Sequence, residues 1–367
     1  MKRTLLQWLV CPACHHEFQL EVAREAGREI EEGRLICGGC AATFGIVRGV
    51  PRMVRASSDP ATQASFGYEW LHVEATDFEE DVVTFFRRTG VDPSLYPLLA
   101  HQPKKERLYP TQSECGYVPN APWLQGKLVL DAGCGLGRYL RVAKDYAQTV
   151  IGVDFSDAVN RAHQIATTSA NVHVLQADLT ALPFRPETFD FVYSIGVLHH
   201  TPNPRQTFRR LAPVCRPGGG CAVTVYGHDY WIDPIRGTIT KGLRMITTRL
   251  PHRFLLWWCR VIGGRLGAWQ MWAAERPLAK WLLAPIFLVT IPRHRKPGVM
   301  IGDTFDVYSP KHIWVYRPDE VSRWLREEGF QNIHILQVPT SVSVLGMERA
   351  VEVAGSPELR EPLEVQP

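Results

Sequence analysis

LVLDAGCGLGRYL, residues 128–140, is the stretch on which the fold turns. An apolar run ends at Asp131, and Gly133, Gly135 and Gly137 follow at alternate positions. A short apolar run that meets a glycine turn and then a helical pattern opens a strand–turn–helix unit. Two phosphate cradles can be tested against it. The dinucleotide fingerprint G-x-G-x-x-G needs its third glycine at position 138, which is Arg138. The Walker pattern needs a Gly-Lys-Ser/Thr that does not follow. Two readings remain: a glycine turn that lets the backbone approach a ligand without phosphate, or a tight turn with no ligand.

Outward from this stretch, strand and helix patterns alternate. TVIGVDFS ends a second strand at Asp154, NVHVLQADL forms a third with Asp178 in its loop, and FDFVYSIGVLHH contains a fourth. CAVTVYG is a fifth strand, expected after the turn RPGGG. RYLRVAKDYA and DAVNRAHQIATT read as helices between them. Such alternation signals a parallel sheet with helices on both faces.

The pattern D-x-G-x-G-x-G resembles the nucleoside loop of class I S-adenosylmethionine (SAM) methyltransferases. The resemblance implies roles for residues of this chain. Asp131 faces the methionine ammonium, and Gly133, Gly135 and Gly137 let the backbone come close. Asp154 accepts from both ribose hydroxyls, having two carboxylate oxygens. Asp178 and the Leu179 amide meet the adenine, and Phe155 and Ser194 complete the cofactor set. FDFVYSIGVLHHTPNP (189–204) and RRLAPVCRPGGGCAVTVYG resemble the ubiquinone- and menaquinone-biosynthesis methylases, called methyltransferase type 11, over about residues 127–227. That implies an α/β fold with a Rossmann-like seven-stranded sheet. Its last two strands are FQNIHILQV and SVSVLGMERAVEV, preceded by the helix PDEVSRWLREEGF.

Methylases of exocyclic base or glutamine nitrogens carry an Asn/Asp-Pro-Pro-aromatic motif after the fourth strand. This chain has Ser194-Ile195-Gly196-Val197, which disfavours that chemistry and makes nucleic acid a disfavoured partner. His199 and His200 follow. Either can serve as the base for a hydroxyl acceptor, or pack against the cofactor and cap the next helix. FGYEWLHVE (66–74) and TFDVYSPKHIWVYRPDE (304–320) offer Tyr68, Trp70, Asp306, Tyr308 and His312 as lining for an acceptor pocket, or as packing.

At the N-terminus, Cys11, Cys14, Cys37 and Cys40 form C-x2-C, 22 residues, C-x2-C. Two such turns complete a tetrahedral four-sulfur site for a structural Zn2+, with a redox pair as the other reading. A longer hairpin or a short helix would absorb the spacing. His15 and His16 read as solvated or as neighbours of the ligands. LLQWLVCPACHHEF and GRLICGGCAATFGIVRGVPRMV resemble the zinc-ribbon activator subunit of tRNA and release-factor methyltransferases, over about residues 1–54. The expected plan is therefore a zinc ribbon (1–54) and a linker with an N-terminal helical cap (55–126, the linker being 55–66). A SAM-binding core (127–227), a helical insertion (228–303), the end of the core (304–354) and a disordered tail (355–367) follow.

Composition agrees with a globular chain: 367 residues, 45% hydrophobic and 21% charged, with a net charge of +4. Five further scattered cysteines suit a reducing cytoplasm. No signal-peptide core or membrane-spanning run is expected, and the longest apolar run elsewhere is WLLAPIFLVTI (281–291). Between Gly227 and Met300 lie six tryptophans, and twelve Lys or Arg against Asp229, Asp233 and Glu275. Amphipathic helices broken at Gly263-Gly264, Pro277 and Pro285 are expected there. Four roles stay open for them: a lid over a lipophilic acceptor that touches the membrane, a lid without membrane, an oligomer interface, or a nucleic-acid surface. The reading as a whole is a SAM-dependent methyltransferase acting on oxygen or carbon of a small-molecule or lipid-linked acceptor. The alternative is an RNA or protein methyltransferase with a built-in activator.

Overall fold

The computed structural model describes residues 1–54, 59–72, 78–101, 110–228, 234–276, 278, 288–292, 294, 296–336, 338 and 341–350. The tail 355–367, Trp231, Trp281 and most of the apolar run 281–291 lie outside the described residues.

The N-terminal module is a four-stranded antiparallel sheet of β1 (Phe18–Ala26), β2 (Glu29–Cys37), β3 (Thr43–Val47) and β4 (Val50–Pro51), in that order. The long stretch between the two CxxC pairs is the β1–β2 hairpin, which reverses at Gly27 with φ 60°. Two helices follow, α1 (Pro60–His72) and α2 (Phe78–Thr89), then the short α3 (Leu95–His101) and α4 (Gln112–Cys115). The expected linker 55–66 is thus helical from Pro60 onward. Asp59 starts that helix by accepting from the Thr62 amide and hydroxyl.

The core sheet has seven strands. β5 (Leu128–Ala132), β6 (Thr149–Asp154), β7 (Val172–Gln176), β8 (Phe189–Ile195) and β9 (Cys215–Tyr226) are parallel. β10 (Phe330–Leu336) and β11 (Ser341–Arg349) close it, with β11 antiparallel to both β9 and β10. The order is β10-β11-β9-β8-β5-β6-β7. The direction of winding reverses between β5 and β8, so a crevice opens beyond their carboxyl ends, as in other open α/β sheets. The expected turn RPGGG lies inside β9, whose strand begins at Cys215.

The first crossover contains only α5 (Leu140–Ala143) as regular α-helix, flanked by turns, where a ten-residue helix was expected. α6 (Val159–Thr168) joins β6 to β7 and α7 (Pro204–Leu211) joins β8 to β9, while the β7–β8 connection carries no helix. The strands are buried on both faces, as parallel strands are. Their alternation sorts residues into two cores. Leu130, Ile151, Val192 and Val223 join the N-terminal module's Leu9, Ile30, Phe44 and Ile46. Val129, Val150, Phe191 and Ala222 join Phe85 and Phe86 of α2 and Val159 and Ala162 of α6.

The N-terminal module is therefore not a separate lobe. Arg52 bridges Gln176 in parallel fashion, and the Met53 amide donates to Gln176 O at 2.7 Å, covering the edge of β7. Lys2 Nζ donates to the carbonyls of Ala166 and Ser169 at the end of α6 and of Val172 at the start of β7, at 2.7, 2.9 and 2.7 Å.

The insertion is built from α8 (Pro234–Thr247), α9 (His252–Cys259), a π-helical stretch Arg260–Leu266, α10 (Gly267–Ala274) and α11 (Pro297–Tyr308). α12 (Pro318–Glu327) then leads into β10. The boundary expected at 303/304 falls inside α11. Gly263-Gly264 does not break the helix. A Cβ at Gly263 would sit 2.8 Å from Thr304 Oγ1, and one at Gly267 2.7 Å from Met300 Sδ. These glycines let the helix lie against α11.

Candidate active site

A cavity of about 300 Å³ lies beyond the carboxyl ends of β5, β6 and β8, between them and helices α1, α2 and α11. Gly133, Gly135, Asp154, Phe155, Asp178, Leu179 and His200 line it, joined by Trp70 and Asp306. Gly133, Gly135 and Gly137 have φ of 93°, 51° and 88°, a region that favours glycine. Their uses differ. Gly135 faces the cavity beside Trp70. Gly137 faces away from it: a Cβ there would meet Ile165 and Ala162 of α6, so this glycine serves helix packing.

Asp154 ends β6 with both oxygens engaged. Oδ2 accepts from the Gly135 amide at 2.9 Å, and Oδ1 from the Ser156 amide and hydroxyl at 2.8 and 2.6 Å. The carboxylate thus clamps the glycine turn and keeps lone pairs for a ligand's hydroxyls. Asp178 is held by the Thr180 amide and hydroxyl at 2.8 and 2.7 Å.

Two more expected cofactor residues, besides Gly137, stand outside the wall. Ser194 is fully buried and its hydroxyl donates to Ala132 O at 2.8 Å, tying β8 to β5. Asp131 is buried, and its Oδ2 has no hydrogen-bond partner. Burial, with the Asp154 charge adding, pushes its carboxyl up to about 8, although the Tyr193 hydroxyl pulls the other way. A buried carboxyl with one oxygen unpartnered among the described residues, next to a glycine cradle and a ribose-type carboxylate, is a donor set that fits SAM, whose amino-acid end carries an ammonium.

On the other side of the cavity, His200 Nδ1 lies 3.1 Å from His312 O, and Nε2 3.3 Å from Asp306 Oδ1. The Tyr226 hydroxyl donates to Asp306 Oδ2. Burial pushes Asp306 up, but His200, Tyr226 and Arg244 outweigh it and hold the carboxyl below its ordinary range. His199 is different. It lies outside the cavity lining, neither ring nitrogen has a hydrogen-bond partner among the described residues, and it packs on Tyr226 with centroids 3.9 Å apart. Burial, then the His200 charge, hold it well below the usual histidine range, so it is a neutral packing group.

Of the pocket candidates, Trp70 and Asp306 line the cavity. Tyr68 stacks on His72 instead, Tyr308 donates to Thr290 O, and His312 pairs with Asp59 at 3.3 Å. Sequence reasoning missed Glu69, Arg88, Asp303 and Tyr226. Glu69 is buried with Oε2 unpartnered, and burial followed by the charges of Asp306 and Asp303 pushes it well above the carboxylate range. Asp303 is pushed up to about 6 by burial, against His294 and Arg138. Among the described residues Arg88 Nη1 meets the Tyr139 hydroxyl at 3.5 Å, its buried Nε has no hydrogen-bond partner, and its charge acts on Asp303. One signal was present in sequence: Glu69 stands between Tyr68 and Trp70 with no opposite charge three or four residues away.

The four sulfurs of Cys11, Cys14, Cys37 and Cys40 lie within 4.8 Å of one another. Cys14 and Cys37 are 3.3 Å apart, Cys11 and Cys40 3.7 Å. Tetrahedral zinc thiolate sites hold sulfurs about 3.8 Å apart, given Zn–S bonds of about 2.3 Å. The cluster could hold zinc with no position left for water.

Residues 130–223 match the family described as methyltransferase domain, and residues 2–49 match Trm112p-like protein. The chain thus joins a methyltransferase domain to a Trm112p-like one. The tRNA U34 carboxymethyltransferase of Pseudoalteromonas translucida is 39% identical over 106 residues, 28% of this chain and 33% of that protein. The ubiquinone biosynthesis O-methyltransferase of Pseudomonas fluorescens (strain SBW25) is 33% identical over 99 residues, 26% of this chain and 43% of that protein. The chain spans less than half the length of these relatives. Among solved structures, a complex of the Haloferax volcanii Trm112 methyltransferase activator with a methyltransferase covers 79% of this chain and 98% of its own, at 13% identity and a TM-score of 0.41.

Proposed function

We propose that the chain is a SAM-dependent methyltransferase that methylates a hydroxyl oxygen of a small-molecule or lipid-linked acceptor whose reacting end is polar. One observation carries this reading: Asp154 and the His200–Asp306 pair line the same cavity. When bound, SAM supplies a methyl group on a sulfonium sulfur, ready for in-line displacement.

Everything else falls to the chain's residues. Asp154 would hold the ribose, Asp178 and Leu179 the adenine, and Asp131 the ammonium, directly or through water. With Nδ1–H donated to the His312 carbonyl, His200 would be the neutral tautomer with its lone pair on Nε2, beside Asp306. That leaves Nε2 to take the acceptor's hydroxyl proton. Asp306, steadied by Tyr226, stabilises the imidazolium that forms. Glu69, held neutral, can donate a hydrogen bond to an acceptor oxygen. Helices α1, α2 and α11 shut out water and align acceptor with methyl.

Calorimetric titration with SAM tests the cofactor site, and transfer of labelled methyl into fractionated extract tests the acceptor. Micromolar binding with label in the small-molecule or lipid fraction supports the reading; no binding overturns it. The similarity to a relative whose name specifies tRNA favours one second reading, an RNA acceptor, and label in acid-precipitable RNA would replace the first with it.

A further inference from the structure

The helix from α9 through α10 leaves large aromatic side chains on its outer side. Its inner face buries Leu255, Leu256 and Cys259 in α9 and is small from Gly263 on, where Gly263 and Gly267 lie against Thr304 and Met300 of α11. Its outer face is aromatic: Phe254, Trp257, Trp269 and Trp272 are 52%, 62%, 59% and 47% exposed. Arg265, Trp269, Trp272 and Arg276 recur at i, i+4, i+7 and i+11, one stripe on a helix. Trp269 and Trp272 meet edge to face at 5.9 Å, and Arg276 lies 4.6 Å over the Trp272 ring. Met245 and Ile246 of α8, 68% and 63% exposed, add to the apolar surface.

Charge decides what this face fits. Among the described residues from 237 to 278, Lys241, Arg249, Arg253, Arg260, Arg265 and Arg276 are exposed, and Glu275 is the one exposed acid. Such a surface repels a second copy of itself. Exposed tryptophans among cations match instead the boundary of an anionic bilayer, where rings lie at the headgroup level and arginines meet lipid phosphates. No helix among the described residues is long and apolar enough to cross a membrane, so the contact would be peripheral.

We infer that the α9–α10 helix docks the protein flat on an anionic lipid surface through Phe254, Trp257, Trp269 and Trp272, with the surrounding arginines on the headgroups. The docking helix rests on α11, whose Asp303 and Asp306 line the cavity, so one helix separates the lipid surface from the proposed acceptor site.

The test is co-sedimentation of the full chain with vesicles of phosphatidylcholine alone or mixed with phosphatidylglycerol, at low and at high salt. Binding to the anionic vesicles at low salt, at least about tenfold above the neutral ones, is expected. Trp269→Ser with Trp272→Ser should abolish it, and Arg265→Gln with Arg276→Gln should weaken it about tenfold or more. All four positions are exposed, so thermal midpoint and SAM affinity should not move. Those two readouts separate loss of docking from loss of fold, and neither depends on which acceptor is methylated. No sedimentation with anionic vesicles overturns the inference. So does binding indifferent to both double variants, or a concentration-dependent dimer in sedimentation velocity that the tryptophan variant dissolves.

Discussion

His200 Nε2 lies 3.3 Å from Asp306 Oδ1, so a residue of the loop after β8 meets a carboxylate carried by the last helix of the insertion. The insertion is thus not only a cover; it completes the site. If Asp306 acts through His200, the two substitutions should not add. His200→Ala should lower kcat about hundredfold to ten-thousandfold. Asp306→Asn should lower it less, and the double variant should be no worse than His200→Ala. SAM affinity should stay unchanged throughout. Additive losses would separate the two residues.

Asp154→Ala removes the carboxylate that both clamps Gly135 and faces the cavity. Two charge-assisted hydrogen bonds to a ribose are each worth about 1.5–3 kcal/mol. SAM affinity should therefore fall about hundredfold to ten-thousandfold, with the circular dichroism spectrum unchanged. Equal affinity in the variant would move the cofactor elsewhere.

In the proposed site, Asp131 would give cofactor binding a pH dependence. Its carboxyl, pushed up to about 8, is largely protonated at neutral pH. An ammonium binds the ionised form, so binding below pH 8 must release that proton. Affinity for SAM should rise from pH 6 toward 8, by up to about tenfold per unit. Asp131→Asn should bind more weakly and flatten the profile. A wild-type profile that falls over this range would remove Asp131 from the site.

Arg88 is a cavity cation whose described contact is a tyrosine hydroxyl. It lines the same cavity as Gly133 and Gly135, and the carboxylate of SAM's amino-acid end would complete it. Arg88→Gln should weaken S-adenosylhomocysteine about tenfold or more and leave methylthioadenosine, which has no carboxylate, unaffected. Equal loss for both ligands would assign Arg88 to the fold.

How much of this was readable in the sequence follows from where each signal lives. The β5–β9 strands are buried on both faces, so each is a short apolar run that a sequence displays directly. Asp154 and Asp178 end strands or open the loops after them, so their placement came with the strands. Ser194 and Gly137 sit in the same motifs but point elsewhere, because neighbouring positions of a strand or turn face opposite sides. Glu69, Arg88 and Asp303 lie on helices and reach the cavity only through the packing of α1, α2 and α11 on the sheet. The Gly263-Gly264 pair was misjudged because glycine signals both a break and a close approach, and only the neighbour across the interface distinguishes them.

The Trm112p-like module supplies the last expectation. A separate ribbon would unfold by itself when its metal is removed. Here Lys2 caps the end of α6, Met53 pairs with Gln176 at the edge of β7, and Leu9, Ile30 and Phe44 share a core with Ile151 and Leu175. Loss of the metal should therefore weaken the catalytic domain too. Cys11→Ser should abolish zinc in elemental analysis and lower a single calorimetric transition by about 5 °C or more. Two resolved transitions, with the upper one unmoved, would show that the module folds apart from the sheet it borders.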